Sequence, residues 1–499
     1  MKKILTIFIC ITTFISSAQT GYEIKVNLKN YKDTLAYLAY YQFDKTFIKD
    51  TCNVKSGQIL FKGKEILPTG IYAVVSAQKA VLFNFFVDDY NQFLELKSDA
   101  AVDFAEDLVA LNSERQNEFL DYIKYVGNQN AAFLQYEKEA VLNSKKDTLA
   151  LREKRKMVDK EISNFEQKFL DENKETFIGD VINLKIEKVL EPVPNNASGK
   201  PDEKIAFKYY KKHYWDGVDL TDDATMRNPF FYNKLKKYFD QVVPMHPDSI
   251  NVEINKILLQ TKQESLMYKT LLSHFTYTYE RSPIMGFDKV FVYLVDNYFK
   301  TGKASTLYSD PLVLQNIIKR ADQLRPLLLG SIAPDLSMIK PQDYLKMREF
   351  GIEKAKTSEE LTKLYYKHLP EINKLYVKLS EVKADYTVLI FWDVDCGHCQ
   401  DEIPVLLKVY NEMIKQNIDI KVYSVYTQND AEKYLKYITD HQLPWINVYD
   451  GARVNNTIQK YDVFSTPVIY VLDKNKTIRA KRIEAGKILQ IIKALQSEG

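Results

Sequence analysis

The sequence predicts a multidomain protein with a small all-β domain, then a mostly α-helical middle region, then an α/β domain at the carboxyl end. Three observations predict this order. Short runs that alternate apolar and polar residues, which is typical of strands, fill the chain to about residue 100. Apolar residues then recur at helical spacing to residue 329, and strand-like and helix-like segments alternate from residue 330. The length of 499 residues also favours about three domains.

Residues 1–18 have the pattern of a secretory signal peptide. Lys2-Lys3 is a charged start, Ile4–Ile15 is apolar, and Ser16-Ser17-Ala18 is a small-residue cleavage site. The apolar stretch is too short to span about 30 Å of hydrocarbon. Cys10 lies inside it without the small residues that precede a lipoprotein cysteine. We therefore expect a soluble protein of the periplasm or cell envelope.

Composition excludes several functions. Hydrophobic residues make up 45% and charged residues 27%, which is ordinary for globular domains. The formal net charge of +3 falls further when Lys2 and Lys3 leave with the signal peptide, so the chain has no basic footprint for nucleic acid. We expect no DNA or RNA partner.

Residues 21–100 predict a β-sandwich or a small barrel. The strand-like runs are Tyr22–Leu28, Thr34–Tyr41, Ile59–Phe61 and Gly70–Val75. Their alternation indicates a sheet with one solvated face. Cys52 falls at a predicted strand start, where we interpret it as a structural free thiol; the alternative is an intermolecular redox partner.

Residues 101–329 predict amphipathic helices, with a joint near residues 191–204 that is rich in proline, asparagine and glycine. An aromatic group lies beyond the joint and comprises Tyr209, Tyr210, His213, Tyr214 and Trp215. These side chains either bind an unknown ligand or pack against one another, and packing is the commoner role of such residues. Four further histidines lack metal-ligand spacing and are interpreted as ordinary polar residues: His246, His274, His368 and His441.

The motif Cys396-Gly397-His398-Cys399 is the most informative feature of the chain. It directly follows the buried strand predicted at Tyr386–Trp392, and apolar residues at helical spacing continue from Ile403 to Ile414. A cysteine at a helix start is reactive because free backbone N–H groups and the positive end of the helix dipole stabilise its thiolate. Pro404 is expected to kink this helix.

Other uses of the two cysteines are weaker. A structural zinc site needs four ligands, and Cys52 is the only other cysteine left after signal removal. Covalent haem attachment requires the motif C-x-x-C-H, but here Gln400 follows Cys399. A structural disulfide across two residues is tight and easily reduced. We therefore predict redox function without metal or cofactor, with Cys396 as the attacking thiolate and Cys399 as the resolving thiol.

The segment Phe391–Pro404 resembles the active-site block of TlpA/ResA-type thioredoxin-like proteins of the bacterial envelope. Three further segments agree, namely Gly330–Leu336, Thr466-Pro467 and the hairpin around Asp473–Lys476, so the resemblance covers residues 330–499. Lys49–Val54 and Leu67–Tyr72 resemble a β-rich domain of unknown function found ahead of such domains. His213–Asp216 and Pro244–Ile250 resemble a helical domain of unknown function from the same architecture.

The resemblance implies an α/β thioredoxin fold that acts on protein disulfides. It implies that Pro467 is cis and lies against the active-site cysteines, and that the backbone of Thr466 binds the substrate chain. Glu402 matches the family's active-site glutamate, which tunes the buried thiol and transfers protons; a helix-dipole role is the alternative. We also place Trp392 and His398 in the substrate-binding set.

The direction of electron flow stays open between two interpretations. A protonated His398 would favour the Cys396 thiolate and an oxidising couple, which suits an isomerase or oxidase. The resemblance instead implies a reductase fed by a membrane electron donor, with a role in envelope redox homeostasis, and anionic Glu402 opposes thiolate formation. We favour a reductase or general disulfide exchange, with an isomerase second.

Two features depart from a minimal enzyme of this kind. An insertion near residues 338–380, helical in composition at Lys354–His368, is expected to cover the active-site face and to restrict substrate access. About three hundred residues precede the catalytic domain, more than thiol exchange requires. A ligand-binding envelope protein with an accessory thioredoxin domain is therefore the hypothesis of another class.

Overall fold

The computed structural model describes residues 20–99, 103–142 and 148–497, so the predicted signal peptide and Cys10 lie outside the described residues. The chain divides into two compact units. The first comprises the described residues up to Pro244 together with Leu259–Thr270, and the second comprises Met245–Leu258 and the described residues from Leu271 onward. Within the described ranges, no helix is long and apolar enough to cross a bilayer.

The first unit begins with a sandwich of two four-stranded sheets, in the orders β4-β1-β7-β8 and β3-β2-β5-β6. The strands are β1 (Tyr22–Leu28), β2 (Leu35–Gln42), β3 (Lys45–Asn53), β4 (Gln58–Gly63), β5 (Gly70–Ser76), β6 (Val81–Val87), β7 (Phe93–Ser98) and β8 (Val109–Ala110). The pair β1 and β7 is parallel, and the other pairs in these sheets are antiparallel. The predicted all-β domain is confirmed as a sandwich.

Alternation along the strands explains the packing. In β1 the inward residues Ile24, Val26 and Leu28 are buried, and they share one core with Leu38 of β2 and Phe85 of β6 from the opposite sheet. Strand β5 is buried along its whole length. Its second face is covered as well, because helices of the same unit lie against this sheet.

The helices of the first unit follow the sandwich. They are α1 (Glu114–Leu142), α2 (Thr148–Glu172), α3 (Phe177–Asn183), α4 (Glu203–His213) and α5 (Phe231–Lys237). The predicted joint contains a cis Glu191–Pro192 peptide and a bridge between Asn195 and Pro201. Asp202 ends the joint, since its side chain accepts hydrogen bonds from the first amides of α4.

The aromatic group near His213 is packed. Tyr214 is buried, its hydroxyl donates to the Lys234 carbonyl at 2.8 Å, and its ring centroid lies 4.8 Å from that of Tyr238 and 5.3 Å from that of Trp215. His213 packs against Tyr209, with ring centroids 4.2 Å apart, and approaches the Asp216 carboxylate at 2.6 Å. These contacts favour the packing interpretation over a ligand site.

The second unit contains helices and a mixed sheet. Its helices, counting the two that reach into the residues assigned to the first unit, are α6 (Pro247–Leu259), α7 (Leu266–Glu280), α8 (Asp288–Leu294), α9 (Pro311–Leu324), α10 (Tyr344–Glu349), α11 (Ser358–Lys367), α12 (Leu369–Asn373), α13 (Gly397–Lys415), α14 (Ala431–Asp440), α15 (Thr457–Tyr461) and α16 (Ile488–Ser497). Its strands are β9 (Ser337–Ile339), β10 (Tyr376–Lys378), β11 (Tyr386–Trp392), β12 (Ile420–Tyr426), β13 (Ile446–Tyr449), β14 (Val468–Asp473) and β15 (Ile478–Lys481).

The seven-stranded sheet has the order β10-β9-β13-β12-β11-β14-β15. Strands β11, β12 and β13 are parallel, and β14 and β15 run antiparallel to complete one edge. Central strand β11 is buried on both faces: Val388, Ile390 and Trp392 pack with α13 and α14, and Leu389 and Phe391 pack on the other face. This arrangement confirms the predicted thioredoxin fold.

The insertion near residues 338–380 extends the sheet at the edge opposite β15. It supplies β9, α10, α11, α12 and β10, and it buries Met347, Ile352 and Ile372 in the core that contains α13. Arg348 lies 3.6 Å from Glu432 at the start of α14. Gly397 and His398 nevertheless remain exposed, so the insertion reaches the rim and leaves the cysteine motif open.

Candidate redox site

The cysteine motif lies at the carboxyl end of β11. Cys396 is the N-cap residue of α13, with extended backbone angles of φ −82° and ψ 117°, and its carbonyl accepts the first helical hydrogen bond, from the Gln400 amide at 3.0 Å. Cys396 is partly exposed, whereas Cys399, one turn further, is fully buried. The two sulfurs are unbonded. Only one thiol of the pair is therefore accessible to a substrate. Pro404 lies inside α13 without ending it, so no helix break occurs there.

The Thr466-Pro467 segment faces the accessible thiol. The Cys396 Sγ atom donates to the Thr466 carbonyl at 3.3 Å, and the Thr466–Pro467 peptide is cis. Pro467 directly precedes β14, which pairs antiparallel with β11, so two neighbouring strands fix the segment beside the motif. The structure therefore brings together four residues of the predicted site: Cys396, Cys399, Thr466 and Pro467.

The two thiols have different affinities for protons. Burial alone would raise the pKa of Cys396, but hydrogen bonds from the Thr466 side chain, from Cys399 and from the backbone amides of Cys399 and His398 hold it below its ordinary value. Burial raises the pKa of Cys399 to about 11. Cys396 is thus the thiol that ionises first, because the Thr466 side chain, Cys399 and the free amides at the start of the helix together stabilise its anion.

Trp392 has a different role from the predicted one. Its side chain is fully buried, and the indole Nε1–H donates to the Ser424 hydroxyl at 2.7 Å. Its ring packs edge-on against Tyr434 and Tyr437. A fully buried side chain cannot contact a substrate, so Trp392 is corrected from a substrate-binding residue to a support beneath α14. His398, in contrast, is exposed beside Cys396.

Glu402 is partly buried on α13, and its carboxylate accepts a hydrogen bond from the Ala485 amide at 2.8 Å. Among the described residues, no hydrogen bond joins Glu402 to either cysteine. The carboxylate therefore ties α13 to the turn before α16. It lies one helical turn after Cys399, on the same side of α13.

Two neighbours of the site were missed by the sequence analysis. Lys433 on α14 pairs with both oxygens of Asp395 at 2.6 Å, which ties α14 to the residue before Cys396. Tyr437 on α14 packs edge-on against Trp392, and burial, with a smaller effect of the Cys399 thiolate, raises its pKa. The two residues are four positions apart on α14, but no local sequence motif identifies them as neighbours of the site.

The remaining cysteine lies in a different environment. Cys52 is on strand β3 opposite Ala36 of β2, and its side chain packs against the sandwich core. Burial raises the pKa of this thiol. Within the described part of the chain, no three His, Cys, Asp or Glu side chains are grouped closely enough to hold a metal ion.

Family comparisons agree with the fold. Residues 367–481 match the AhpC/TSA family, and residues 137–310 match the domain of unknown function DUF5106. By fold and family, the carboxyl-terminal domain is a thioredoxin-like thiol-disulfide oxidoreductase domain. The middle of the chain carries DUF5106, and the chain thus combines that domain with a thioredoxin-like one. Among curated proteins, none matches the chain.

Several solved structures are similar to parts of the chain. A domain of a possible thiol-disulfide isomerase from Cytophaga hutchinsonii is 33% identical, and the match covers 34% of this chain and 98% of that one with a TM-score of 0.26. A thioredoxin-like protein from Bacteroides caccae is 18% identical over 60% of this chain and 97% of that one, with a TM-score of 0.40. A thiol:disulfide interchange protein from a Bacteroides species is 22% identical over 33% and 88%, with a TM-score of 0.24.

Proposed function

We propose that this protein is a TlpA/ResA-type thiol-disulfide reductase of the periplasm, which reduces protein disulfides by dithiol exchange at Cys396 and Cys399. The observation that carries the proposal is the asymmetry of the pair. One thiol is accessible and has a lowered pKa at a helix start, and its partner is buried with a pKa raised to about 11. An attacking and a resolving thiol need these two environments.

The reaction has two steps. The Cys396 thiolate attacks one sulfur of the substrate disulfide, so a mixed disulfide forms and the other substrate sulfur leaves as a thiolate that takes up a proton. The Cys399 thiol then loses its proton and attacks Cys396 Sγ, which forms the intramolecular disulfide and releases the second substrate thiolate. Two electrons pass from the protein dithiol to the substrate. A dithiol donor, which we place in the membrane, must reduce the protein again.

Each protonation state of Cys396 has partners at the site. The neutral thiol donates to the Thr466 carbonyl, and the thiolate is stabilised by amides at the start of α13. An incoming substrate chain that hydrogen-bonds the Thr466 carbonyl would replace the thiol as donor and so favour the reactive thiolate. Glu402 is the carboxylate that we assign to proton transfer from Cys399, because it lies one turn further along α13.

The reduction potential tests the direction. The purified protein is equilibrated with glutathione buffers, and the Cys396–Cys399 disulfide is quantified by alkylation and mass measurement. A reductase predicts a potential near that of thioredoxin, about −270 mV. A value between about −180 and −120 mV, the range of isomerases and oxidases, would overturn the reductase direction.

Isomerase activity is the second candidate, and exposed His398 beside Cys396 favours it. A protonated imidazole there stabilises the thiolate and makes the couple more oxidising. His398→Leu should therefore lower the reduction potential. The periplasmic location is supported by the signal-like residues 1–18, and release of the mature protein by osmotic shock tests it.

A further inference from the structure

Helix α9 contacts the segment that leads into the redox site. The Arg320 guanidinium donates from two nitrogens to the two carboxylate oxygens of Asp462, with Nη2 and Oδ2 2.9 Å apart. One turn further on α9, the Gln323 side-chain amide lies 3.5 Å from the Ile458 carbonyl of α15. Two side chains of one helix therefore hold α15 and the residue that follows it.

Asp462 is a fixed point of this segment. Its side chain is 1% exposed, and Arg482 donates both to its carboxylate and to its backbone carbonyl, the latter at 3.1 Å. A buried carboxylate must be paired to remain charged, and here two guanidinium groups share it. The backbone of Asp462 has φ 57°, in the left-handed region, so the chain turns sharply as it leaves α15.

A short stretch of chain joins Asp462 to the redox site. Four residues span at most about 14 Å. Phe464 lies on this stretch with its side chain 68% exposed, and its ring centroid is 5.9 Å from the Arg320 guanidinium carbon. The stretch ends at Thr466, whose carbonyl contacts Cys396 Sγ at 3.3 Å. The stretch is thus anchored at one end by Asp462 and at the other by β14, so the place of the Thr466 carbonyl depends on both anchors.

We propose that Arg320 is a positioning residue of the redox site, which holds the segment 462–467 through Asp462 so that Thr466 faces Cys396 and the substrate chain. The inference rests on the proposed function and deepens it, since it gives the helices that precede the thioredoxin-like sheet a part in substrate presentation. Arg320 itself touches neither cysteine; it acts through Asp462 and beside exposed Phe464.

The chain offers a matched control. Arg325, five residues after Arg320, also donates from two guanidinium nitrogens to one carboxylate. Its Nη1 lies 2.5 Å from Asp296 Oδ2, and its Nη2 lies 2.6 Å from Asp296 Oδ1. Both partners of this second pair are more exposed than Asp462, and neither belongs to segment 462–467. Arg320→Met and Arg325→Met therefore remove the same kind of ion pair. Only the pair removed by Arg320→Met is connected to Thr466, through segment 462–467.

The experiment compares full-length wild type with both variants. A peptide with one intramolecular disulfide is the substrate, and the pH dependence of Cys396 alkylation is the second measurement. We expect Arg320→Met to lose about tenfold or more in kcat/KM, since a misplacement of about 1 Å can cost as much as a hundredfold. Its alkylation midpoint should move to higher pH, because the hydrogen bond from the Thr466 side chain, which helps to hold the pKa of Cys396 low, weakens. Arg325→Met should match wild type in both measurements.

Two outcomes separate this inference from the proposed function. If Arg320→Met matches Arg325→Met in both measurements, the positioning role is overturned while the redox function stands. If wild type itself does not reduce the peptide, the proposed function is overturned. Should Arg320→Met fail to fold, Arg320→Lys decides, because one ammonium cannot hold both oxygens of Asp462 in the same way. Identical kinetics for Arg320→Lys and Arg325→Lys would overturn the inference.

Discussion

Cys52 in the sandwich and Cys396 in the thioredoxin-like domain are both partly exposed, but their surroundings give the two thiols opposite properties. Burial raises the pKa of Cys52, whereas hydrogen bonds at the start of α13 outweigh burial and lower the pKa of Cys396. The hydrogen-bond donors around each sulfur, side chains first and backbone amides second, make the difference. A strand uses its amides in the ladder, but the first turn of a helix leaves amides free for an anion. Reactivity thus follows from the hydrogen-bond donors around a cysteine more than from its exposure.

The largest expected difference between the two regions is in catalysis. Cys396→Ser should lower the rate of peptide disulfide reduction by at least about a hundredfold, because a hydroxyl is not ionised at neutral pH and cannot form a mixed disulfide. Cys52→Ser should keep the wild-type rate, since Cys52 packs against the sandwich core. Initial rates with the same peptide measure both. Loss of activity in Cys52→Ser, at unchanged stability, would make Cys52 a redox partner after all.

The pH dependence of alkylation sharpens the comparison. Because the pKa of Cys396 is below its ordinary value, its thiolate fraction at a given pH is larger than that of an ordinary cysteine, and iodoacetamide should label it first. Cys52 should be labelled only at more alkaline pH, and Cys399, with a pKa of about 11, last of the three. Peptide mapping at several pH values gives the order. Faster labelling of Cys52 than of Cys396 at pH 7 would contradict the account of the helix start.

Glu402→Gln is expected to have a smaller effect on the second step. Glutamine still accepts the Ala485 amide but cannot take a proton, so the attack by Cys399 should slow by about a hundredfold, the lower end of general acid–base contributions. Stopped-flow decay of the mixed disulfide measures this step. Glu412→Gln on the same helix is the control, since that exposed side chain contacts Gln416. Equal rates in the two variants would leave Glu402 as a structural link only.

The smallest effect is expected for the buried tryptophans. Trp392→Phe removes the hydrogen bond to Ser424 and should lower the free energy of unfolding by about 1–3 kcal/mol, with little change in the rate per folded molecule. Trp445→Phe is the matched control, because among the described residues the buried indole N–H of Trp445 has no acceptor. Urea unfolding compares them. A markedly lower rate for Trp392→Phe at unchanged stability would contradict a purely supporting role for Trp392.

The strand, the motif and the following helix could be predicted from sequence because their signals are local. The run Tyr386–Trp392 and the spacing from Ile403 onward place Cys396 at a helix start without any distant contact. Pairing it with Thr466 needed the family resemblance, because seventy residues separate them. The burial of Trp392 follows from its place in an uninterrupted apolar run that is buried on both faces of the sheet, but its proximity to the motif led to the substrate-binding prediction.

Side-chain contacts over long separations could not be predicted. Arg320 and Asp462 are 142 positions apart, and nothing near either residue marks them as partners. Lys433 with Asp395 and Tyr437 with Trp392 depend on how α14 packs against the sheet, which periodicity does not specify. The same holds for the insertion, whose helical composition was readable but whose position at the β13 edge follows from the pairing of β9 and β10.

The most direct measurement is the identity of the cysteine that a substrate disulfide captures. In Cys399→Ser the second step is blocked, so the mixed disulfide persists and can be mapped by mass spectrometry. The account predicts that the peptide substrate is joined to Cys396, at close to one equivalent and already at neutral pH, and that Cys52 carries none. A substrate joined to Cys52, or no adduct in a folded protein, would contradict the claim that the start of α13 creates the reactive thiol.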